Sequence, residues 1–252
     1  MATIPLFDSS FPELVAASHD RHGGVSSSPF DNLNISYGVG DIDSVVTENR
    51  NRIKAGHGFS TLCSGRQVHG DRILIIDQKP AADSEVDGFD AFITSQPGVG
   101  LMVQHADCQP VVLYDPVKNV AAGLHCGWRG SVINIIQKTV LKMAETYGCN
   151  PSDIHSSVGP SLGPCCAEFV NHPTELPPSF SAHSAKENYF NFWKISKSQM
   201  LGAGLLANHI SLIQICTSCN SGFFSYRRAC RDGNGITGRN GTVIGLKSLD
   251  PW

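Results

Sequence analysis

Three residues of metal-ligating type stand at or beside the ends of apolar runs. They are His69 in Gln67-Val68-His69-Gly70, Cys108 in His105-Ala106-Asp107-Cys108, and His125 in His125-Cys126-Gly127-Trp128-Arg129-Gly130. Two imidazoles and one thiolate suit Zn²⁺, and three protein donors leave a fourth position for water, as in catalytic rather than closed structural zinc sites. Such an ion lowers the pKa of a bound water to roughly 7 and so supplies hydroxide at neutral pH. The same residues admit a second chemistry, a Cys108 thiolate activated by His125 in the manner of cysteine hydrolases and amidases. One cysteine cannot be both a permanent ligand and a free nucleophile, so metal content separates the two. A third reading is a non-catalytic binding protein in which zinc only holds loops, with Asp107 or Cys126 closing the fourth position. The plainest alternative is a buried thiol and two unrelated histidines.

Anion-binding residues accompany this set. Gly127-Trp128-Arg129-Gly130 precedes a helical pattern, so backbone N–H groups and the Arg129 fork could receive phosphate; equally, the glycines make a turn and Trp128 fills the core. Arg227, Arg228, Arg231 and Arg239 lie in a Gly/Ser-rich tail that opens with Phe223-Phe224-Ser225-Tyr226. Arginine gives planar recognition of phosphate, and aromatic faces suit a nucleobase or a phenol, unless the stretch is merely a solvated loop. Arg21-His22-Gly23-Gly24 is a further candidate anion loop. Cys165-Cys166 and the pair Cys216/Cys219 lack the second CxxC of a zinc ribbon and the helix start of a thioredoxin site, and are read as structural thiols, with metal or redox function the minority reading.

The elements that must position these residues are legible from periodicity. Residues 41–58 form a helix with Val45, Val46, Asn49 and Ile53 on one side and glycines at its end. Strands are expected at 72–77, 89–94, 101–104, 110–115 and 120–124, the last two joined by a hairpin through Asp115-Pro116-Val117-Lys118-Asn119. Ser131 is expected to cap a helix reaching Tyr147. A strand at 154–158, a Gly/Pro loop at 159–164, an irregular stretch at 171–188, a helix at 196–209 and strands at 211–216 and 242–246 follow. Strands joined both tightly and through helices argue for α+β with layered mixed β-sheets and flanking helices.

At 252 residues the chain is long enough for an ample core, and no linker divides it, so 1–252 is read as one domain. A formal charge of −3 with both signs dispersed offers no stripe for nucleic acid. No apolar run reaches the length of a membrane span, and the first thirty residues lack a secretory pattern. Nine cysteines without regular spacing fit a reducing compartment, so a cytoplasmic protein is expected, with no protein partner predicted.

In combination, the motifs resemble those of the bacterial laccase-domain proteins, long labelled multicopper polyphenol oxidoreductases and similar to human FAMIN. The matching segments are Arg21-His22-Gly23-Gly24-Val25-Ser26, Leu33-Asn34, Glu48-Asn49-Arg50, Gln67-Val68-His69-Gly70, Asp90-Ala91-Phe92-Ile93-Thr94, Ala106-Asp107-Cys108-Gln109-Pro110, His125-Cys126-Gly127-Trp128-Arg129-Gly130, Gly159-Pro160-Ser161-Leu162-Gly163-Pro164-Cys165-Cys166, and Phe224-Ser225-Tyr226-Arg227-Arg228 with Thr237-Gly238-Arg239. They run in family order over nearly the whole chain. The resemblance implies zinc on His69, Cys108 and His125, and purine-nucleoside chemistry. That chemistry is phosphorolysis of adenosine, inosine and methylthioadenosine to free base and ribose 1-phosphate, with adenosine deamination in the same site. It also implies a fold shared with a toxin deamidase of the Cys–His type. For phosphate, the candidates are Arg21, Arg129, Arg227 and Arg239. The deaminase signature H-x-E with P-C-x-x-C is absent, so deamination would need another architecture, with Asp107 an unsecured proton-transfer partner. Two departures, a long connection from Arg228 to Thr237 and Ala167 after the cysteine pair, fall on the substrate rim. The copper-oxidase label finds little support, because no H-x-H pair occurs among the ten histidines. Cu²⁺ binding in vitro is expected only because copper outranks zinc in intrinsic affinity.

Overall fold

The computed structural model describes residues 2–248, so Met1 and residues 249–252, the extremes of the expected 1–252 unit, lie outside the described residues. The chain opens with β1 (Thr3–Pro5), β2 (Leu14–His19), helix α1 (Asp43–His57), β3 (Thr61–Arg66), β4 (Ile73–Ile76) and β5 (Ser84–Asp87). Four strands follow closely: β6 (Ala91–Thr94), β7 (Val99–His105), β8 (Gln109–Asp115) and β9 (Val120–Cys126). Helices α2 (Trp128–Val132) and α3 (Ile135–Tyr147) lead to β10 (His155–Val158), and a lobe of α4 (His172–Glu175), β11 (Ser184–Lys186) and β12 (Tyr189–Phe190) precedes α5 (Phe192–Gly202). Strand β13 (Ile210–Leu212), helix α6 (Tyr226–Asp232) and β14 (Asn240–Leu246) complete it.

Two six-stranded sheets result, in the orders β1-β2-β14-β7-β3-β5 and β13-β10-β8-β9-β6-β4. Both are mixed: β3 runs parallel to β5 and β7, and β4 to β6, while β8 and β9 pair antiparallel from Gln109↔Cys126 to Asp115↔Val120. Side-chain alternation explains the layering. Val112, Tyr114 and Ala121 meet Leu101 and Ile244 between the sheets, whereas Val111, Leu113, Ala122 and Leu124 face Ile136, Val140 and Met143 of α3. On the far side, Met102 and Val243 pack under Ile53 of α1. The molecule is therefore helix, sheet, sheet, helix. Strands buried on both faces need apolar residues at successive positions, which is why 110–114 reads as an unbroken run.

The expected central unit is present with one correction. The hairpin turn forms, with the Asp115 carboxylate accepting from the amides of Val117 (2.8 Å) and Lys118 (3.0 Å). The helix is not continuous from Ser131. Asn134, at φ 54, breaks it, and its side chain accepts from the Gln137 amide (3.2 Å) to cap α3, while Ser131 is buried inside α2. An αL residue with a side-chain cap restarts the helix in a new direction. Likewise the helix expected at 196–209 starts earlier, capped by Asn191, and stops before Gly204 at φ 99. The Gly/Ser- and Arg-rich tail contains a helix, Tyr226–Asp232, whose Ser225 cap is masked in the sequence by the surrounding glycines and arginines. Among the described residues, no helix is long and apolar enough to cross a membrane.

Candidate functional site

Strand ends deliver the three candidate ligands to one place. His69 comes from the turn between β3 and β4, Cys108 from the turn between β7 and β8, and His125 from the end of strand β9. One donor atom from each lies within 4.8 Å of the other two, and Cys108 Sγ stands 3.7 Å from His69 Nε2. Zinc distances of about 2.3 Å to sulfur and 2.0–2.1 Å to nitrogen put a tetrahedral S/N ligand pair roughly 3.5 Å apart, so these residues fit one ion.

Asp90, just ahead of β6 and fully buried, builds this convergence. Its carboxylate accepts from the amides of Val68 (3.0 Å), His69 (2.9 Å) and Gly70 (2.9 Å), and from His125 Nδ1 (2.9 Å). A carboxylate can only accept, so His125 carries its proton on Nδ1 and turns Nε2 toward Cys108. The three amides hold His69 at φ 61, a backbone state that few non-glycine residues adopt. Burial opposes the charge on Asp90, but the His125 hydrogen bond and the amides of Gly70 and Val68 outweigh it and hold its pKa below the usual range. Asp90 occurs in one of the family-like segments, yet nothing in its local pattern marks it as a support for both histidines. Its place directly ahead of Ala91-Phe92-Ile93 shows only that a charge precedes a buried strand.

The ionisation of the pair follows from the same contacts. Burial pushes the Cys108 thiol up, but the His125 charge, its hydrogen bond and His69 bring it down to about 6. Burial pulls His125 down, but Cys108 and Asp90 raise it to about 9. Without an ion, the two therefore favour a thiolate–imidazolium pair. Gly127 seals this corner: a Cβ there would come 2.8 Å from both Cys108 Sγ and His69 Cδ2.

Neither residue considered as a fourth ligand is in place. Cys126 points to the opposite side of β9, within reach of Ser131 Oγ (3.4 Å), and burial raises its thiol to about 12. Asp107, at φ 93, receives Thr217 Oγ1 (2.7 Å) and the Arg227 amide (2.6 Å) on its two oxygens, while its carbonyl accepts from Leu162. It braces two loops and the start of α6 instead of facing the ligands.

A cavity of about 750 Å³ opens over the three ligands. Arg129, Arg227 and Arg239 all line it, with Arg129 stacked on Trp128 (4.2 Å) and Arg227 donating to the Glu168 carbonyl (3.0 Å). Burial lowers the Arg239 pKa against the opposing pull of Cys108 and Asp107. Arg21 is not among the lining residues. Its guanidinium donates to the Asp31 carbonyl (2.6 Å) and lies over the Phe224 ring, so the structure separates it from the other three arginines. Two lining residues stand in quoted motifs without an assigned role: Gln109 Nε2 and His105 Nδ1 are buried with no hydrogen-bond partner among the described residues. Volume, aromatic walls and convergent polar groups are those of a small-molecule site.

The family described as multi-copper polyphenol oxidoreductase laccase matches residues 15–247. The purine nucleoside phosphorylase YlmD of Bacillus subtilis is 30% identical over 93% of this chain and 89% of its own length. A purine nucleoside phosphorylase of Corynebacterium glutamicum is 34% identical over 90% of this chain and 92% of its own. The crystal structure of YlmD from Geobacillus stearothermophilus superposes with a TM-score of 0.86 at 28% identity, covering 98% of this chain and 97% of that one.

Proposed function

Because the chain belongs to the multi-copper polyphenol oxidoreductase laccase family, whose relatives above are named purine nucleoside phosphorylases, we propose that it is a zinc-dependent purine nucleoside phosphorylase acting as one cytoplasmic domain. The observation that carries this reading is a single cavity lined by a three-donor His69/Cys108/His125 set and by three arginines. When bound, zinc supplies Lewis-acid chemistry at the fourth position. Asp90 keeps His125 in the tautomer that presents Nε2. Arg129, Arg227 and Arg239 hold phosphate beside the ribose, where a phosphate oxygen forms the bond to C1′ as the C1′–N9 bond breaks. The bonding pair leaves with the purine, which takes up the proton that the attacking phosphate gives up, and the second product is ribose 1-phosphate. The aromatic wall that includes Trp128 and Phe169 excludes water and offers faces to the base.

Adenosine and inosine are the substrates we assign first, with methylthioadenosine fitting the same cavity. Adenosine deamination belongs to the same proposal, since a three-donor set leaves a position for water. Copper oxidation of phenols is expected only under added copper. A second reading, Cys108 as nucleophile with His125 as base, draws support from the thiol brought down to about 6. Metal content decides between them.

Chromatography of adenosine and inosine incubated with metal-quantified protein, with and without phosphate, tests the proposal. Phosphate-dependent release of adenine and hypoxanthine is expected, abolished in His125→Ala with the fold retained. A His125→Ala variant that turns over nucleosides at the wild-type rate would falsify it, and hydrolase activity in metal-free protein would favour the cysteine nucleophile.

A further inference from the structure

A second group of ligating atoms lies outside the three-donor set. Cys165 and Cys166 close the 159–166 loop after β10, Cys216 and Cys219 flank the turn after β13, and all four sulfurs lie within 4.8 Å of one another. Cys219 Sγ is 3.5 Å from Cys165 Sγ and 3.4 Å from Cys166 Sγ. We propose that Cys165, Cys166, Cys216 and Cys219 form a closed metal site for one zinc ion, which pins the 159–166 loop to the 216–219 turn beside the cavity.

The geometry is that of a metal cage. Four thiolates around one zinc at about 2.3 Å have tetrahedral edges of roughly 3.8 Å, close to the spacing found here and too tight for a multi-iron cluster. All four cysteines are free thiols, so no disulfide accounts for their convergence. The surroundings of Cys216 also suit a thiolate. The Gly163 amide donates to Cys216 Sγ (3.3 Å), and the Cys219 amide is aimed at the same sulfur, which is the support expected for a bridging CxxC turn on a metal. Gly163 is required for this approach, since a Cβ there would meet Cys216 Cβ at 3.0 Å and Cys165 Sγ at 3.2 Å. The guanidinium of Arg228 ties down the turn through the carbonyls of Thr217 (2.7 Å), Ser218 (3.2 Å) and Phe223, and Arg231 lies within electrostatic range of Cys166 and Cys219.

Four protein donors leave no place for water, so the role is structural. The two loops it joins both hold Asp107: the Leu162 amide donates to its carbonyl (2.8 Å) and Thr217 Oγ1 to its carboxylate (2.7 Å). Asp107 in turn precedes Cys108. The ion therefore stabilises the rim from which Leu162 and Arg227 enter the cavity.

The test is elemental analysis of full-length protein purified under reducing conditions, beside Cys165→Ser/Cys219→Ser, His125→Ala and the combination of all three. The paired cysteine substitution is expected to remove one zinc equivalent from either background, so the result does not depend on whether the His69/Cys108/His125 set holds metal. Zinc X-ray absorption on His125→Ala, which keeps all four cysteines, is expected to show a sulfur-only shell at about 2.3 Å. That measurement stands even if the paired variant does not fold. Unchanged zinc content in the paired variant, a nitrogen or oxygen shell, no zinc in His125→Ala, or a disulfide among the four under reducing conditions would each overturn the proposal.

Discussion

Asp90 links two histidines that sit far apart in sequence, since its four accepted hydrogen bonds fix the turn of His69 and the tautomer of His125 together. Replacing it by asparagine keeps its size but puts an amide N–H₂ where an acceptor is needed, leaving at least one buried donor unsatisfied. Supporting residues of this kind typically change metal affinity by about 10–100-fold. Asp90→Asn is therefore expected to weaken zinc binding by that factor in competition with a chromophoric chelator, with turnover falling in parallel. Wild-type zinc affinity in the variant would mean that the histidines orient without it. The candidate ligands themselves were legible, because His69, Cys108 and His125 stand beside apolar runs that fix strand ends. Asp90 was not, because its partners come from two separate segments, residues 68–70 and His125, and only the folded chain brings them to one carboxylate.

Strand β14 lies between β2 and β7, and each neighbour places a buried histidine against it. His19 Nδ1–H donates to the Gly241 carbonyl (3.1 Å), and His105 Nε2 meets Thr242 Oγ1 (2.9 Å). Burial, followed by nearby positive histidines, lowers His19 to about 4 and His105 to about 3. Both stay neutral in the fold at pH values where an unfolded histidine takes a proton. Between the ordinary 6.5 and these values the unfolded state binds more protons, so stability is retained above about pH 6.5 and falls as pH drops below it. At about pH 5 the loss is about 2 kcal/mol for each imidazole. Urea midpoints measured at neutral pH and at about pH 5 should differ accordingly, and His105→Asn should flatten the dependence. An identical slope in that variant would remove His105 from the account. At this scale the sequence located α1, the β8–β9 hairpin and α5, where periodicity and turn residues act locally. It missed β2, β3 and β5, whose partners are distant, and the break at Asn134, which is visible only as a backbone angle.

The interior between the two sheets is where the whole molecule is held together. Ile244 contributes to it opposite Gly123, whose missing side chain admits the Ile244 Cγ2 at a distance of 3.2 Å from an ideal Cβ position. Ile244→Ala is expected to cost about 2–5 kcal/mol through lost burial and an unfilled cavity. The urea midpoint should fall with an unchanged slope while zinc content stays at the wild-type value. Loss of zinc without loss of stability would show that the sheet interior is not what carries the site loops. By itself, the amino-acid sequence determined the α+β class, the family and the three candidate ligands, because apolar periodicity, turn chemistry and short motifs are local properties of the chain. Only the tertiary structure decided that Arg129, Arg227 and Arg239 share a cavity without Arg21, that Asp107 braces loops, and that four cysteines expected to be ordinary thiols meet at one point. Those outcomes depend on which strand ends and loops become neighbours, and that is set by the packing of two sheets over the full length of the chain.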